Sequence, residues 1–184
     1  EDVFLLFLSL WSTGVGQVLL GSGPNKLESF DEIITLSTAT DNTLLAVLGL
    51  CSIAKVCLRE GKLHYSRTVY QQALEAASYL HGRLYIAGQP LIGLGMLHYE
   101  WNQLDQANQY LAEGIELAHQ WGTVSIIDGY FTLAFLKQAL GDPSGAADAI
   151  REAKEIARQF DVTDFDDFLV DFHQARLWIL QGDY

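Results

Sequence analysis

Five histidines are the residues of this sequence best suited to bind a metal ion or to transfer a proton. They are His64, His81, His98, His119 and His173. Two side chains of one helix reach a common ion when they lie three or four residues apart. No two of these histidines, and no histidine and cysteine, have that spacing. The sequence therefore predicts no metal site.

Two segments have only a superficial likeness to phosphate-binding or calcium-binding loops. Around Lys26 stand Asn25 and Leu27, whereas a phosphate-binding loop needs glycine before that lysine and serine or threonine after it. The aspartates within 161–171 lack the glycine-containing loop that arranges oxygen ligands around calcium. We interpret the first segment as a turn and the second as the solvated start of a helix. No nucleophile–base motif is visible either, so the sequence predicts no enzyme and no cofactor.

The charge balance argues against contact with nucleic acid. The chain of 184 residues carries 23 acidic and 11 basic side chains, which gives a net charge of −12. A surface of this kind repels a phosphate backbone. Direct binding of nucleic acid is therefore not expected.

The cysteines and the uncharged first segment bear on the cellular compartment. Cys51 and Cys57 lie six residues apart on one predicted helix, so they point to different sides and are expected to be small buried side chains. Residues 3–25 carry no charge and could span a membrane. However, Glu1 and Asp2 replace the basic flank of a signal sequence, and two glycines and a glutamine interrupt the run. We expect a buried repeat helix here, no membrane contact and a cytoplasmic protein.

Turn residues that recur about every forty positions define the elements that would position any site. They are Gly21, Gly61, Asn102, Gly141 and Gly182, separated by 40, 41, 39 and 41 residues. Glycine and asparagine suit the left-handed turn that ends a helix. The pattern predicts an array of helix hairpins, and such arrays usually bind other molecules rather than transform them.

Small residues stand at fixed offsets from these turns, where they would let neighbouring helices approach closely. Seven residues before the turn are Gly14, Ala54, Gly95, Ala134 and Ala175. Five and twelve residues after the three central turns are Ser66, Ala107 and Ala146, and Ala73, Gly114 and Ala153. These offsets are typical of the tetratricopeptide repeat, although a period near forty also occurs in HEAT-like arrays.

The predicted fold is all-α, a tetratricopeptide-like right-handed superhelix of antiparallel helix hairpins with ~40-residue repeats. The first helix of each hairpin, the A helix, is expected over 3–20, 44–60, 85–101, 124–140 and 164–181. The second, the B helix, is expected over 26–39, 63–80, 104–121 and 143–160. Residues 1–184 are expected to form one domain of about four and a half hairpins, a fragment of a larger protein.

The third and fourth repeats resemble a known family. The segment Tyr99-Glu100-Trp101-Asn102, followed by Leu104, Ala107 and the run 111–118, is similar to the long-repeat region of MalT-like regulators. Gly129-Tyr130 and the run 175–183 continue the likeness. The resemblance covers roughly residues 44–184, and residues 1–43 fit it loosely. MalT-like regulators are large, ATP-dependent transcription activators of the bacterial LuxR family.

The resemblance implies a place in a three-part protein. In that family a nucleotide-binding switch module precedes a tetratricopeptide-like sensor, and a helix-turn-helix domain that binds promoters follows it. The chain would be part of the sensor, binding a small-molecule inducer or a peptide or protein partner, contacting the other domains and aiding self-association. The alternative is a general tetratricopeptide scaffold for a peptide or partner protein, and the modules that flank the chain in its full-length gene would distinguish the two.

The concave face of such a superhelix is lined by A helices. Side chains at thirteen, ten, six, three and two residues before each turn are expected to point inward, and here they mix aromatic, charged and amide groups, as ligand-binding sites do. The candidate binding residues are Lys55, Arg59, Gln89, Met96, Tyr99, Glu100, Asp128, Phe131, Phe135, Gln138, Phe172 and Arg176. The competing interpretation places Met96, Phe131 and Phe135 in the core between repeats.

Overall fold

A computed structural model of the chain describes residues 3–19, 28–79, 84–122, 125–159 and 164–182. Over these residues the chain forms nine α-helices, one short 3₁₀ helix at Leu84–Ala87 and no strand. The A helices are α1 (Val3–Leu19), α3 (Thr43–Arg59), α5 (Gly88–Glu100), α7 (Ser125–Ala139) and α9 (Asp164–Gln181). The B helices are α2 (Glu28–Ala39), α4 (Leu63–Ser78), α6 (Leu104–Trp121) and α8 (Pro143–Gln159). The predicted all-α, tetratricopeptide-like fold is confirmed.

The helices pack as a stack of hairpins. Each of the first four A helices packs on the B helix that follows it, most extensively in the pairs α3–α4, α5–α6 and α7–α8. Consecutive A helices also touch, α3 on α5, α5 on α7 and α7 on α9. The A helices therefore form a continuous face along the array.

The predicted turn residues adopt the backbone conformation that their residue types favour. Gly61, Asn102, Gly141 and Gly182 have φ angles of 74°, 57°, 77° and 79°. After the first three of these, the next residue donates its N–H to the carbonyl five positions back, over 2.8–2.9 Å. This is the hydrogen bond that closes a helix through a left-handed residue. The first predicted turn, Gly21, lies outside the described residues.

The small residues at fixed offsets lie where two helices meet. Ala54, Ser66, Ala107, Ala134 and Ala146 are fully buried. The Ser66 hydroxyl donates a 2.7 Å hydrogen bond to the Ala54 carbonyl, which joins the two small positions of one hairpin. At the fifth repeat the residue at this offset is exposed, so among the described residues it makes no close helix contact. That residue is Ala175.

The start of α5 differs from the prediction of one regular helix over 85–101. The chain enters through the 3₁₀ turn, and the α-helix begins at Gly88. A β-carbon on Gly88 would lie 2.6 Å from the Ala118 nitrogen and 2.8 Å from the Gly114 oxygen. The backbones of α5 and α6 thus touch directly at this point, and this tertiary contact determines where the regular helix starts.

The cysteines of α3 lie in the core, as their spacing predicted. Cys51 and Cys57 are 2% and 0% exposed and form no disulfide. Desolvation of the thiolate by burial raises the pKa of both thiols. Both therefore act as small apolar groups in packing.

Helix α1 is only partly buried, which corrects the expectation of a buried helix. Phe7 is buried, and a β-carbon on Gly14 would lie 2.7 Å from the Phe30 ring, so one face packs closely on α2. Five apolar side chains on the rest of the helix are exposed: Phe4, Leu5, Leu6, Leu8 and Trp11. Within the described part of the chain, no helix has both the length and the apolar character needed to cross a membrane.

Candidate ligand-binding groove

Side chains from four consecutive A helices converge on one groove. Helix α3 contributes Leu58; α5 contributes Met96, Tyr99 and Glu100; α7 contributes Asp128, Phe131, Thr132 and Phe135; and α9 contributes His173 and Arg176. None of these lining residues belongs to a B helix. The groove follows from the stacking of A helices, because each turn of the array brings the same face of the next A helix alongside.

The cavity within the groove has a volume of about 120 Å³. An apolar cavity of about 150 Å³ is known to hold one benzene molecule, whereas pockets for drug-sized molecules measure about 300–1,000 Å³. The groove can therefore enclose most, but not all, of one six-membered ring. A larger ligand would extend out of it into solvent.

Two phenylalanines of α7 form the apolar wall. Phe131 and Phe135 are 4% and 5% exposed and belong to the core shared with α8. The core interpretation of these two residues is thus correct, and they also line the cavity. Phe131 stacks on the His173 ring with 4.2 Å between centroids, and the Arg176 guanidinium lies 4.6 Å from the centre of the Phe135 ring. Stacking of this kind holds the side chains of α9 against α7.

An ion pair crosses the groove from α3 to α7. The Lys55 ammonium lies 2.5 Å from an Asp128 carboxylate oxygen, although the two residues are 73 positions apart in sequence. Their side chains are 37% and 33% exposed. The pair neutralises the carboxylate that α7 contributes to the cavity.

His173 has a buried ring nitrogen with no hydrogen-bond partner. Its Nδ1 atom is enclosed, and no described residue donates to it or accepts from it. Desolvation lowers the pKa of this histidine, Asp128 opposes that shift, and the positive charges of Arg176 and Arg59 add to it. The imidazole is therefore neutral at neutral pH, and Nδ1 can serve as donor or acceptor according to its tautomer.

Tyr99 and Glu100 are the polar groups that α5 contributes to the lining. Tyr99 is half-buried, and desolvation raises the pKa of its hydroxyl; Arg176 lowers that pKa and Glu100 raises it. The hydroxyl therefore stays protonated and available as a hydrogen-bond donor. Glu100 is exposed at the rim.

The structure brings seven of the predicted binding residues together around the cavity: Met96, Tyr99, Glu100, Asp128, Phe131, Phe135 and Arg176. Lys55 reaches the cavity through its ion pair, and Arg59 is exposed in the last turn of α3. Gln89 and Gln138 are half-buried and do not line it. Phe172 is 52% exposed and meets the groove only through an edge contact with His173.

Two polar lining residues were missed in the sequence-based selection. Thr132 and His173 both lie nine residues before a turn glycine, next to a position that the selection used. A polar residue at the same offset in two successive repeats is the signal that could have found them. Leu58, a third omission, is an apolar residue at an offset that the selection did use.

Paired helices, left-handed turns about forty residues apart and a groove along the A helices define a tetratricopeptide-like repeat domain, a scaffold class whose members bind along one face. A comparison with known protein families matches residues 1–184 to the MalT-like TPR region. The chain therefore belongs to this family. The match includes residues 1–43, so it extends beyond the part where the sequence resemblance was clear. Among curated proteins, no sequence is significantly similar to the chain.

Proposed function

We propose that this chain is the non-catalytic, signal-sensing module of a bacterial MalT-like LuxR-family transcription regulator. The module binds a small-molecule inducer in the groove of its A helices and transmits that event to the other domains of a cytoplasmic regulator. The supporting observation is the groove itself, where four consecutive A helices place aromatic, cationic and anionic side chains around one cavity.

Binding in this groove would couple to the shape of the whole array. The lining residues come from α3, α5, α7 and α9, and each of these helices packs on the next one in the stack. A ligand that contacts all four helices stabilises one relative arrangement of the repeats over others. The net charge of −12 suits a module that leaves DNA binding to another domain.

A thermal-shift screen with sugars, aromatic acids, amino acids and short peptides tests the sensing role. A ligand at one hundred times its dissociation constant adds about 2.7 kcal/mol to the free energy of unfolding, or roughly 5–10 °C for a chain of this size. Tyr99→Ala and Arg176→Ala should abolish the shift. Tyr65→Ala and Arg67→Ala, two exposed residues of helix α4, are the matched controls and should leave the shift unchanged.

The outcomes separate the two candidate functions. A shift with small molecules that depends on Tyr99 and Arg176 supports the sensor. A shift with peptides alone would favour the general scaffold, and no shift with any compound would contradict a ligand site in the groove. The regulator context predicts a nucleotide-binding module upstream and a helix-turn-helix domain downstream in the full-length gene, and the absence of both would contradict it.

A further inference from the structure

The groove carries charges of both signs. Arg176, Glu100 and Asp128 line the cavity, and Lys55 pairs with Asp128. Arg59 is close enough for its charge to lower the pKa of His173 in the same groove. Together these residues are three cations and two carboxylates, in a chain with twice as many acids as bases.

The ion pairs in the groove leave two guanidinium groups uncompensated. Lys55 is matched by Asp128. Across the described ranges, neither Arg59 nor Arg176 lies within 4 Å of a carboxylate oxygen. The central carbon of the Arg176 guanidinium lies over the Phe135 ring, 4.6 Å from its centre. A guanidinium over an aromatic ring can still donate N–H groups to a planar anion.

The neutral surfaces of the groove suit one flat, apolar ring. Phe131, Phe135 and Met96 line a cavity of about 120 Å³, which is slightly smaller than a cavity that encloses one benzene ring. A single ring would therefore sit in the groove with one edge towards solvent, and a chain of sugars would not fit.

We propose that the groove binds a small planar monoanion, one aromatic ring that carries a carboxylate. The ring lies against Phe131, Phe135 and Met96, and the carboxylate accepts hydrogen bonds from Arg176 and, at the rim, from Arg59. The inference rests on the proposed function, since it names the chemical class of the inducer for the same groove.

Matched probes separate the charge of the ligand from its ring. Isothermal titration of the whole chain would compare sodium benzoate and phenylacetate with benzyl alcohol, which lacks the charge, and acetate, which lacks the ring. We expect benzoate or phenylacetate to bind at least about tenfold more tightly than either control, because a charge-assisted hydrogen bond and ring burial both contribute. A higher salt concentration should weaken the binding of the two aromatic anions and leave the binding of benzyl alcohol unchanged.

Arginine variants test the assigned contacts. Arg176→Gln should weaken benzoate binding by about tenfold, and Arg59→Gln by less, while benzyl alcohol binding is unchanged. Arg67→Gln on helix α4 is the control with the same loss of charge, and circular dichroism confirms that each variant keeps its helices. Equal affinity for benzoate and benzyl alcohol, or an anion affinity that Arg176→Gln does not change, would overturn the proposal.

The outcome of the ligand screen distinguishes this inference from the function on which it rests. If the anionic probes fail while neutral compounds bind in a manner that depends on Tyr99, the anion preference is wrong and the sensing role stands. If the probes and the whole screen fail together, both are wrong.

Discussion

At the residue scale, the left-handed turns are the positions where one side chain most directly affects the fold. Gly141 has a φ of 77°, and a β-carbon there would meet no atom within 4 Å. Gly141→Ala should therefore cost about 1–2 kcal/mol through backbone conformation alone. Asn102→Gly should be neutral or slightly stabilising, because Asn102 already holds a φ of 57° with a side chain present. Chemical denaturation measures both, and equal effects of the two substitutions would contradict this assignment.

His173 makes stability depend on pH. Burial lowers its folded-state pKa below the unfolded value of 6.5, with Asp128 opposing and Arg176 and Arg59 reinforcing that shift. Below pH 6.5 the unfolded chain binds a proton that the folded chain resists, so stability falls as the pH drops from 6.5 towards the folded-state pKa. His173→Gln should remove this part of the pH dependence. The test is to measure the unfolding free energy of the unchanged chain and of His173→Gln at pH 8 and at pH 5. If stability falls by the same amount between these pH values in both, His173 is not the cause.

At the element scale, the crossing of α5 and α6 depends on direct backbone contact. A β-carbon on Gly114 would lie 2.7 Å from the Ile92 nitrogen and 3.0 Å from the Gly88 oxygen. Gly114→Ala should therefore destabilise the chain by about 1–3 kcal/mol despite the better helix propensity of alanine. Gly16→Ala in α1 is the control, since a β-carbon there meets nothing within 4 Å, and it should add up to about 1 kcal/mol. Thermal denaturation measures both variants. If Gly114→Ala were the more stable of the two, α5 and α6 would not cross as closely as described.

The Lys55–Asp128 pair connects two A helices that are not neighbours in the chain. Because both side chains are about one-third exposed, solvent screening limits their coupling to about 1 kcal/mol or less. A double-mutant cycle with Lys55→Met and Asp128→Asn measures it. A coupling energy above about 3 kcal/mol would mean that the pair is desolvated and contributes more to the stability of the fold than its exposure indicates.

Much of the array was predictable because its signals are local. The requirements for a left-handed turn residue and for a small contact residue depend on short-range backbone geometry. Gly61, Asn102 and Gly141 have the positive φ angles that the pattern predicted. The start of α5 was not predictable, since it depends on the contact of Gly88 with α6. The offset that His173 shares with Thr132 could have placed it on the groove face, but its stacking on Phe131 depends on the rotation between repeats.

At the scale of the whole molecule, function depends on the stack rather than on any one hairpin. The groove takes its lining from four helices that span Leu58 to Arg176, so no single repeat could form it. Ligand binding should therefore raise the stability of the whole array cooperatively, because each repeat is coupled to its neighbours. The A helices should respond to ligand together, and the B helices should respond only through them.

Mapping of backbone amide chemical shifts tests the central claim most directly. The chain, labelled with nitrogen-15, would be titrated to saturation with the compound that gives the largest shift in the thermal screen. We predict that the largest changes fall on α5, α7, the last turn of α3 and the middle of α9, around Tyr99, Asp128 and Arg176. Changes confined to the B helices α4, α6 and α8, or to the exposed face of α1, would place the ligand elsewhere and contradict a binding groove on the A helices.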